Sequence, residues 1–447
     1  MIPLRRAVPV WVRIALQSFG GPAGQIAVMH RILVDEERWI SERRFLHALR
    51  FCTLLPGPEA TQLATYVGWL MHGTAGGLLA GILFVLPGFL AILALSIIYL
   101  TAGHLAPVTG LFFGLKAAIL AIVVDAVLRI GRRSLRHPVL VAMAAAAFLA
   151  IFVLQVPFPW IVLAAALLGT IGFRRLPQAF APAVEPGEDA ASTGPPPLLP
   201  DSEAPPARPP LASTARVAAR WLALWILPVA ALAAGLGRGH VLVRLGVFFS
   251  EAAVVTFGGA YAVLAYVAQR AVGDFGWLTP REMVDGLALA ETTPGPLIMV
   301  LQFVGFLAAA RGMPGAGAIT AGVLGSLVTV WVTFVPCFLF VLAGAPLVEW
   351  LRGRRSLEAA LTGITAAVVG VILNLAVWFS LHVLFHEVTV RRLGPVHLEL
   401  PRLASLDTAA LTLAVLAAVA TFRFRVGMLP VLGGAAALGL AWRLLGR

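Results

Sequence analysis

The stretch "SFGGPAGQIAVMHRILVDEERWISERRFLHALRFCTLLPGP", Ser18–Pro58, decides the fold, because "TFGGAYAVLAYVAQRAVGDFGWLTPREMVDGLALAETTPGP", Thr256–Pro296, repeats it without a gap. At an offset of 238 (256 − 18), Gly20-Gly21 meets Gly258-Gly259, Trp39 meets Trp277, Arg43 meets Arg281, and Pro56-Gly57-Pro58 meets Pro294-Gly295-Pro296. Further along the offset becomes 249 (335 − 86), pairing "LPGFLAI" from Leu86 with "VPCFLFV" from Val335 and "GLKAAILAIVVDAVLR" from Gly114 with "GITAAVVGVILNLAVW" from Gly363. Two constant offsets describe one duplication with a single insertion inside it.

The material around the repeats is membrane-like. Of 447 residues 60% are hydrophobic and 12% charged, and the mean hydropathy is +0.92. Apolar runs of roughly 20 residues, the length that crosses a bilayer, recur along the chain. The net charge of +12 is scattered through short connections, which reads as a topology signal on the cytoplasmic side and not as a nucleic-acid surface. The basic, apolar start lacks a small-residue cleavage site and is read as a retained first span. Two cysteines, Cys52 and Cys337, exclude a disulfide framework and a cysteine metal site. No Walker motif, nucleophile elbow or Rossmann fingerprint is present, so ATP hydrolysis and covalent catalysis have no support, and neither a cofactor nor a metal is expected. His382 and His386 in "HVLFHE" have metal-pair spacing but no third ligand of matching context, and are read as an interfacial cluster.

Residues 174–215 hold eleven of the 31 prolines and form an expected mobile linker. It separates a domain at 1–173 from an unmatched span at 216–238 and a second domain at 239–447. The first half is expected to carry segments at about 8–30, 45–70, 74–100, 107–130, 138–155 and 158–173, and the second at about 241–269, 281–310, 314–348, 357–385, 408–422 and 427–445, with ends good to roughly 2–4 residues. The expected fold class is an all-α polytopic membrane protein of two homologous transmembrane domains arranged as inverted repeats, about 13 spans with broken helices. The extra span makes the number of crossings before the second repeat odd. The basic clusters agree: Arg129, Arg132, Arg133 and Arg136 fall in one connection of the first half, and Arg352, Arg354 and Arg355 in a non-equivalent one of the second. Both clusters in the cytoplasm put the N-terminus and the linker there too. A re-entrant hairpin at 45–70 would change the count.

Inverted repeats with broken helices are the architecture of secondary transporters. Each Pro-Gly-Pro precedes an apolar helix, so its last proline can open that helix and leave N–H groups facing an anion. Pro56, Gly57, Pro58, Pro294, Gly295 and Pro296 are therefore candidate anion-binding positions, joined by Thr292 and Thr293; the alternative is a break that only separates an interfacial helix from a span. Gly20, Gly21, Gly258 and Gly259 permit either close helix packing, the safer reading, or an unwound turn beside the ligand. Lys116, the single lysine, lies within an apolar run and is a candidate counter-charge for an anion. Glu59, Glu291, Asp125 and Glu251 are candidate proton carriers; Asp125 also sits four residues before Arg129, where an ordinary ion pair is the commoner arrangement, and Glu251 is read as buried. Arg43 and Arg281 are candidates for recruiting anions at the two faces, against simple interfacial snorkelling.

"FGGPAGQ", "LLPGPEATQLATYVGW" and "FVLPGF" in the first half, with "TFGGAYAVLAYV" and "ALAETTPGPLIMVLQFVGF" in the second, resemble the chromate ion transporter family in its long, fused two-domain form. The resemblance implies chromate efflux across the bacterial inner membrane by a multi-pass antiporter coupled to the proton gradient, with sulfate, of the same charge and shape, as a competitor. The partners so implied are chromate, sulfate, protons and the lipid bilayer, with a homodimer left open. A carrier of sulfate or another small anion is the alternative within transport, and a membrane-embedded enzyme the alternative outside it.

Overall fold

In the computed structural model, residues 2–180, 198–199, 211–257, 259–351, 355–394 and 396–445 are described. Gly258, Arg352, Arg354 and most of the expected linker lie outside them. The described chain is helical throughout, apart from one antiparallel pair of strands, β1 (Val388–Leu393) and β2 (Val396–Pro401), which the sequence reading did not anticipate. The helices are α1 (Leu4–Gln17), α2 (Gly21–His30), α3 (Glu42–Leu54), α4 (Glu59–Ala102), α5 (Ala106–Ser134), α6 (Pro138–Phe152), α7 (Phe158–Arg175), α8 (Pro177–Phe180), α9 (Leu211–Leu236), α10 (Val241–Val255), α11 (Ala260–Ala268), α12 (Pro280–Thr292), α13 (Val300–Gly312), α14 (Ala318–Leu351), α15 (Arg355–Leu384), α16 (Thr408–Ala418) and α17 (Met428–Leu445). Among the described residues seven helices are long and apolar enough to cross a membrane, and three shorter apolar ones accompany them.

The segments expected at 8–30, 45–70, 241–269 and 281–310 are each two shorter helices joined at a motif. Chain chemistry explains the breaks. Gly20 caps α2 in the left-handed region (φ 86°), with a proline in the first turn. Gly57 and Gly295 take φ of 125° and 105°, which only glycine adopts without strain. In the 45–70 segment the break is a reversal: Phe51 and Tyr66, fifteen residues apart in sequence, meet with ring centroids at 4.7 Å and planes tilted by 54°. A continuous helix would separate them by roughly 22 Å, so α3 and the start of α4 lie side by side with Pro-Gly-Pro at the tip. The long α4 is broken again at His72 and at Gly73 (φ 62°). The segment at 8–30 also doubles back, since Arg13 on α1 lies 2.7 Å from Glu36.

The chain forms two compact units, each built from both halves of the sequence. The first comprises the described residues of Met1–Leu93, Ala183–Ala260 and Thr293–Arg354. Its core includes Trp11, Trp39, Phe45, Ala64, Val67 and Phe84, all essentially inaccessible. The second comprises Ala94–Pro182, Tyr261–Thr292 and Arg355–Arg447. There the packing is made by small residues exchanged between repeats. A methyl placed on Gly114 of α5 would lie 1.8 Å from the Ala435 carbonyl oxygen of α17, and one on Gly363 of α15 would lie 2.5 Å from the Ala165 carbonyl oxygen of α7. Without side chains at these crossings, backbones approach closely enough to replace the hydrophobic drive that lipid removes.

Candidate anion site

In the first unit both Pro-Gly-Pro tips are held by the opposite repeat. The Gly57 N–H donates to the Thr256 carbonyl at 2.8 Å, and the Gly295 N–H donates to the Ser18 carbonyl at 2.9 Å. These are the same bond made twice, since 57 and 295, and 18 and 256, are equivalent positions. The hydroxyls of Ser18 and Thr256 in turn donate to Ile14 and Ala252, four residues back, holding both helix ends. The surroundings match as well. Gly57 faces the Cys337 thiol and Gly295 faces the Gly88 backbone, and 88 and 337 are again equivalent. In a bilayer such amides have no water to turn to, so each repeat completes the other's break.

Three buried glutamines line these breaks: Gln25 donates to the Gly295 carbonyl at 2.6 Å, Gln62 to the Pro56 carbonyl at 2.6 Å, and Gln302 to the Phe89 carbonyl at 3.0 Å. Thr61 and Gln62, both inaccessible in the first turn of α4, keep side-chain oxygens with no hydrogen-bond partner. The Thr61 hydroxyl beside a helix N-terminus suits an oxyanion, which needs donors from hydroxyl and backbone N–H, whereas Gln62 Oε1 is an acceptor and its amide is spent on the Pro56 carbonyl. Glu59 is half-buried at the start of the same helix, and Thr293 is buried beside the second tip. At Gly20 and Gly259 the helix-packing reading is corrected by the geometry. Gly20 and Gly259 (φ 93°) are conformational breaks with open space where a side chain would begin.

The second unit gathers the ionisable groups. Lys116 Nζ lies 3.2 Å from Asp285 Oδ1, and the Tyr99 hydroxyl donates to Asp285 Oδ2 at 2.9 Å. Glu291, one residue before Thr292, is 1% exposed and accepts from the Tyr261 hydroxyl at 2.5 Å, while its other oxygen has no partner. Thr292 itself donates back to the Leu289 carbonyl. Asp125 pairs with Arg129 along α5, at the edge of an open cleft of about 480 Å³ lined also by Arg132, Arg133 and Phe422. Arg281 is exposed and bonds His386, and Arg43 is exposed near the start of α3. His382 and His386 face different acids, Glu399 and Asp407, so their helical spacing does not converge. Glu251, read from the sequence as a buried carboxylate, is exposed on α10, while Phe248, Phe249 and Ala252 of the same helix are buried.

Asp285, Tyr99, Tyr261 and the three glutamines escaped the sequence reading. Asp285 had a signal, since its equivalent is His47 and both are polar within a broken-helix arm.

The comparison with known proteins follows the same two halves. The family model described as chromate transporter matches residues 6–170 and 243–440. The chain belongs to the chromate transporter family. It is 37% identical over 365 residues to a chromate transport protein of Pseudomonas aeruginosa, covering 81% of this chain and 77% of that one. A chromate transport protein of Cupriavidus metallidurans is 30% identical over 370 residues, 83% and 80% of the two chains. A probable chromate transport protein of Synechococcus elongatus is 28% identical over 369 residues, 83% and 82%. No solved structure matches. For this member of the chromate transporter family, the tips at Gly57 and Gly295 therefore lie inside the matched regions, and the span α9 lies between them.

Proposed function

We propose that this chain is a secondary transporter that exports chromate, a tetrahedral oxyanion, from the cytoplasm across the bacterial inner membrane, energised by the proton-motive force. The observation that carries the reading is the reciprocal pair of bonds, Gly57 to Thr256 and Gly295 to Ser18, which turns two helix breaks into one shared device. Inversion of the repeats has support in the helix count. If the broken pairs re-enter on the side they left, the crossings before the second repeat are the part of α4 after Gly73, α5, α6, α7 and α9, an odd number. The two tips then open helices from opposite faces toward the anion, with the Thr61 hydroxyl supplying a donor and Thr292 and Thr293 flanking the second tip. Alternating access follows when one repeat rocks against the other around that site. Buried carboxylates on α12 carry the proton. The basic cleft at Arg129, Arg132 and Arg133 raises the local concentration of anions before binding.

Everted membrane vesicles containing the protein take up labelled chromate when a proton-motive force is imposed, and excess sulfate slows that uptake. Uptake no greater than in empty vesicles removes the chromate assignment. Stronger uptake of sulfate than of chromate assigns the chain to another small anion.

A further inference from the structure

We propose that Lys116 and Asp285, both within the second unit, form an exchange pair in which an anion on its path through that unit and the Asp285 carboxylate compete for one ammonium, so that an anion and a proton bind together. The proposal rests on the transport reading above and adds the sign of its coupling. Lys116 is the only lysine of the chain, and it and Asp285 come from different repeats, on α5 and α12. The equivalent positions are Thr365 and His47, so the pair occurs once per molecule. The carboxylate is shut away, with 6% of its side chain exposed, while Lys116 keeps 20% and is the reachable member.

An incoming oxyanion is a competing acceptor for that ammonium. Losing one partner of a buried ion pair strands the charge of the other away from water, so the carboxylate does not stay ionised once Lys116 has turned to the anion. It takes one proton from water to become the neutral acid, and its oxygen still accepts from the Tyr99 hydroxyl. Charge balances: the ammonium exchanges one anionic partner for another, and the proton cancels the charge left behind. The remaining charged and titratable groups around Asp285 are consistent with this. Glu282, one turn earlier on α12, adds a repulsive negative charge. On α15, which also packs on α12, the titratable His382 bonds the Trp378 carbonyl. Co-binding departs from the proton-for-anion antiport that the family resemblance implies. A chromate dianion leaving with one proton carries a single net negative charge outward, so a membrane potential negative inside drives export.

The test is anion binding to the purified full-length protein, with proton uptake followed at mildly alkaline pH, where chromate itself carries no proton. The wild type is expected to take up a proton on binding chromate, with affinity falling as pH rises. Asp285→Asn is expected to bind with no proton uptake, with an affinity independent of pH and tighter at alkaline pH by roughly 5–150-fold, the usual range of site-to-site coupling. Because that variant leaves a buried ammonium, Asp285→Asn/Lys116→Gln serves as the second variant. It removes both charges at similar size and is expected to bind weakly and without proton uptake. Proton uptake that persists in Asp285→Asn, or wild-type affinity and proton uptake in the double variant, overturns the exchange pair while leaving transport standing. A wild type that binds neither chromate nor sulfate overturns both readings.

Discussion

Gly295→Ala places one methyl group at the second Pro-Gly-Pro tip, and its cost can be worked from two independent effects. The backbone there has φ 105°, a region that costs a side-chain-bearing residue of order 1–3 kcal/mol. The added carbon would lie 3.0 Å from Gly88 Cα and 3.1 Å from Gly88 N. Those are backbone atoms of a helix and cannot rotate away, so overpacking adds about 1–3 kcal/mol more. The sum is about 2–6 kcal/mol, and the shift needed to relieve it would also pull the Gly295 N–H from the Ser18 carbonyl. The equivalent Gly57→Ala is an internal control. Its methyl would meet the ends of two side chains, the Gln62 amide at 2.8 Å and the Cys337 thiol at 3.2 Å, and both can yield. Adding Cys337→Ala is therefore expected to recover part of the loss at Gly57, whereas Gly88 has no side chain to remove. Thermal unfolding of the purified protein, read alongside vesicle uptake of chromate, measures these three variants and the Cys337→Ala single variant. A Gly295→Ala protein as stable as the wild type, or no favourable coupling between Gly57→Ala and Cys337→Ala, would refute this account of the tips.

Two further outcomes follow from burial and bonding. Gln25→Leu removes the buried amide bond to the Gly295 carbonyl and is expected to destabilise by about 1–3 kcal/mol, seen as a lower unfolding midpoint. Glu251→Gln changes an exposed side chain and is expected to move stability by no more than about 0.5 kcal/mol and to leave vesicle uptake unchanged; a clear loss of uptake would return Glu251 to the proton path.

Much of the architecture was legible because duplication speaks through fixed offsets that no local preference can imitate. The register of Gly57 with Gly295 and of Ser18 with Thr256 already contained the reciprocal bonds, although not the fact that they cross from one repeat to the other. The glycine pairs illustrate the limit. Gly20 in an apolar run is compatible with tight packing or with a left-handed turn, and only the backbone decides between φ 86° and a helix. Lys116 stood out by its rarity, whereas its partner Asp285 was hidden in a segment whose other acids were more conspicuous. Pairing across some 170 positions leaves no periodic trace. Glu251 failed for the opposite reason: an apolar neighbourhood in sequence does not say which face of α10 a residue occupies. The strand pair at Val388–Pro401 carries little signal in the sequence, because its alternation is short and interrupted at Leu393-Gly394-Pro395.

The crossed bonds at the two tips also set an order of events during synthesis. Gly57 leaves the ribosome about 200 residues before Thr256, the residue that accepts its amide, and Ser18 waits longer still for Gly295. The first repeat consequently enters the bilayer with a helix break it cannot complete from its own residues, and it must be sheltered by water, lipid headgroups or the insertion machinery until the second repeat arrives. A chain cut short before position 256 would leave that break open permanently, which makes the truncated product a natural substrate for membrane quality control.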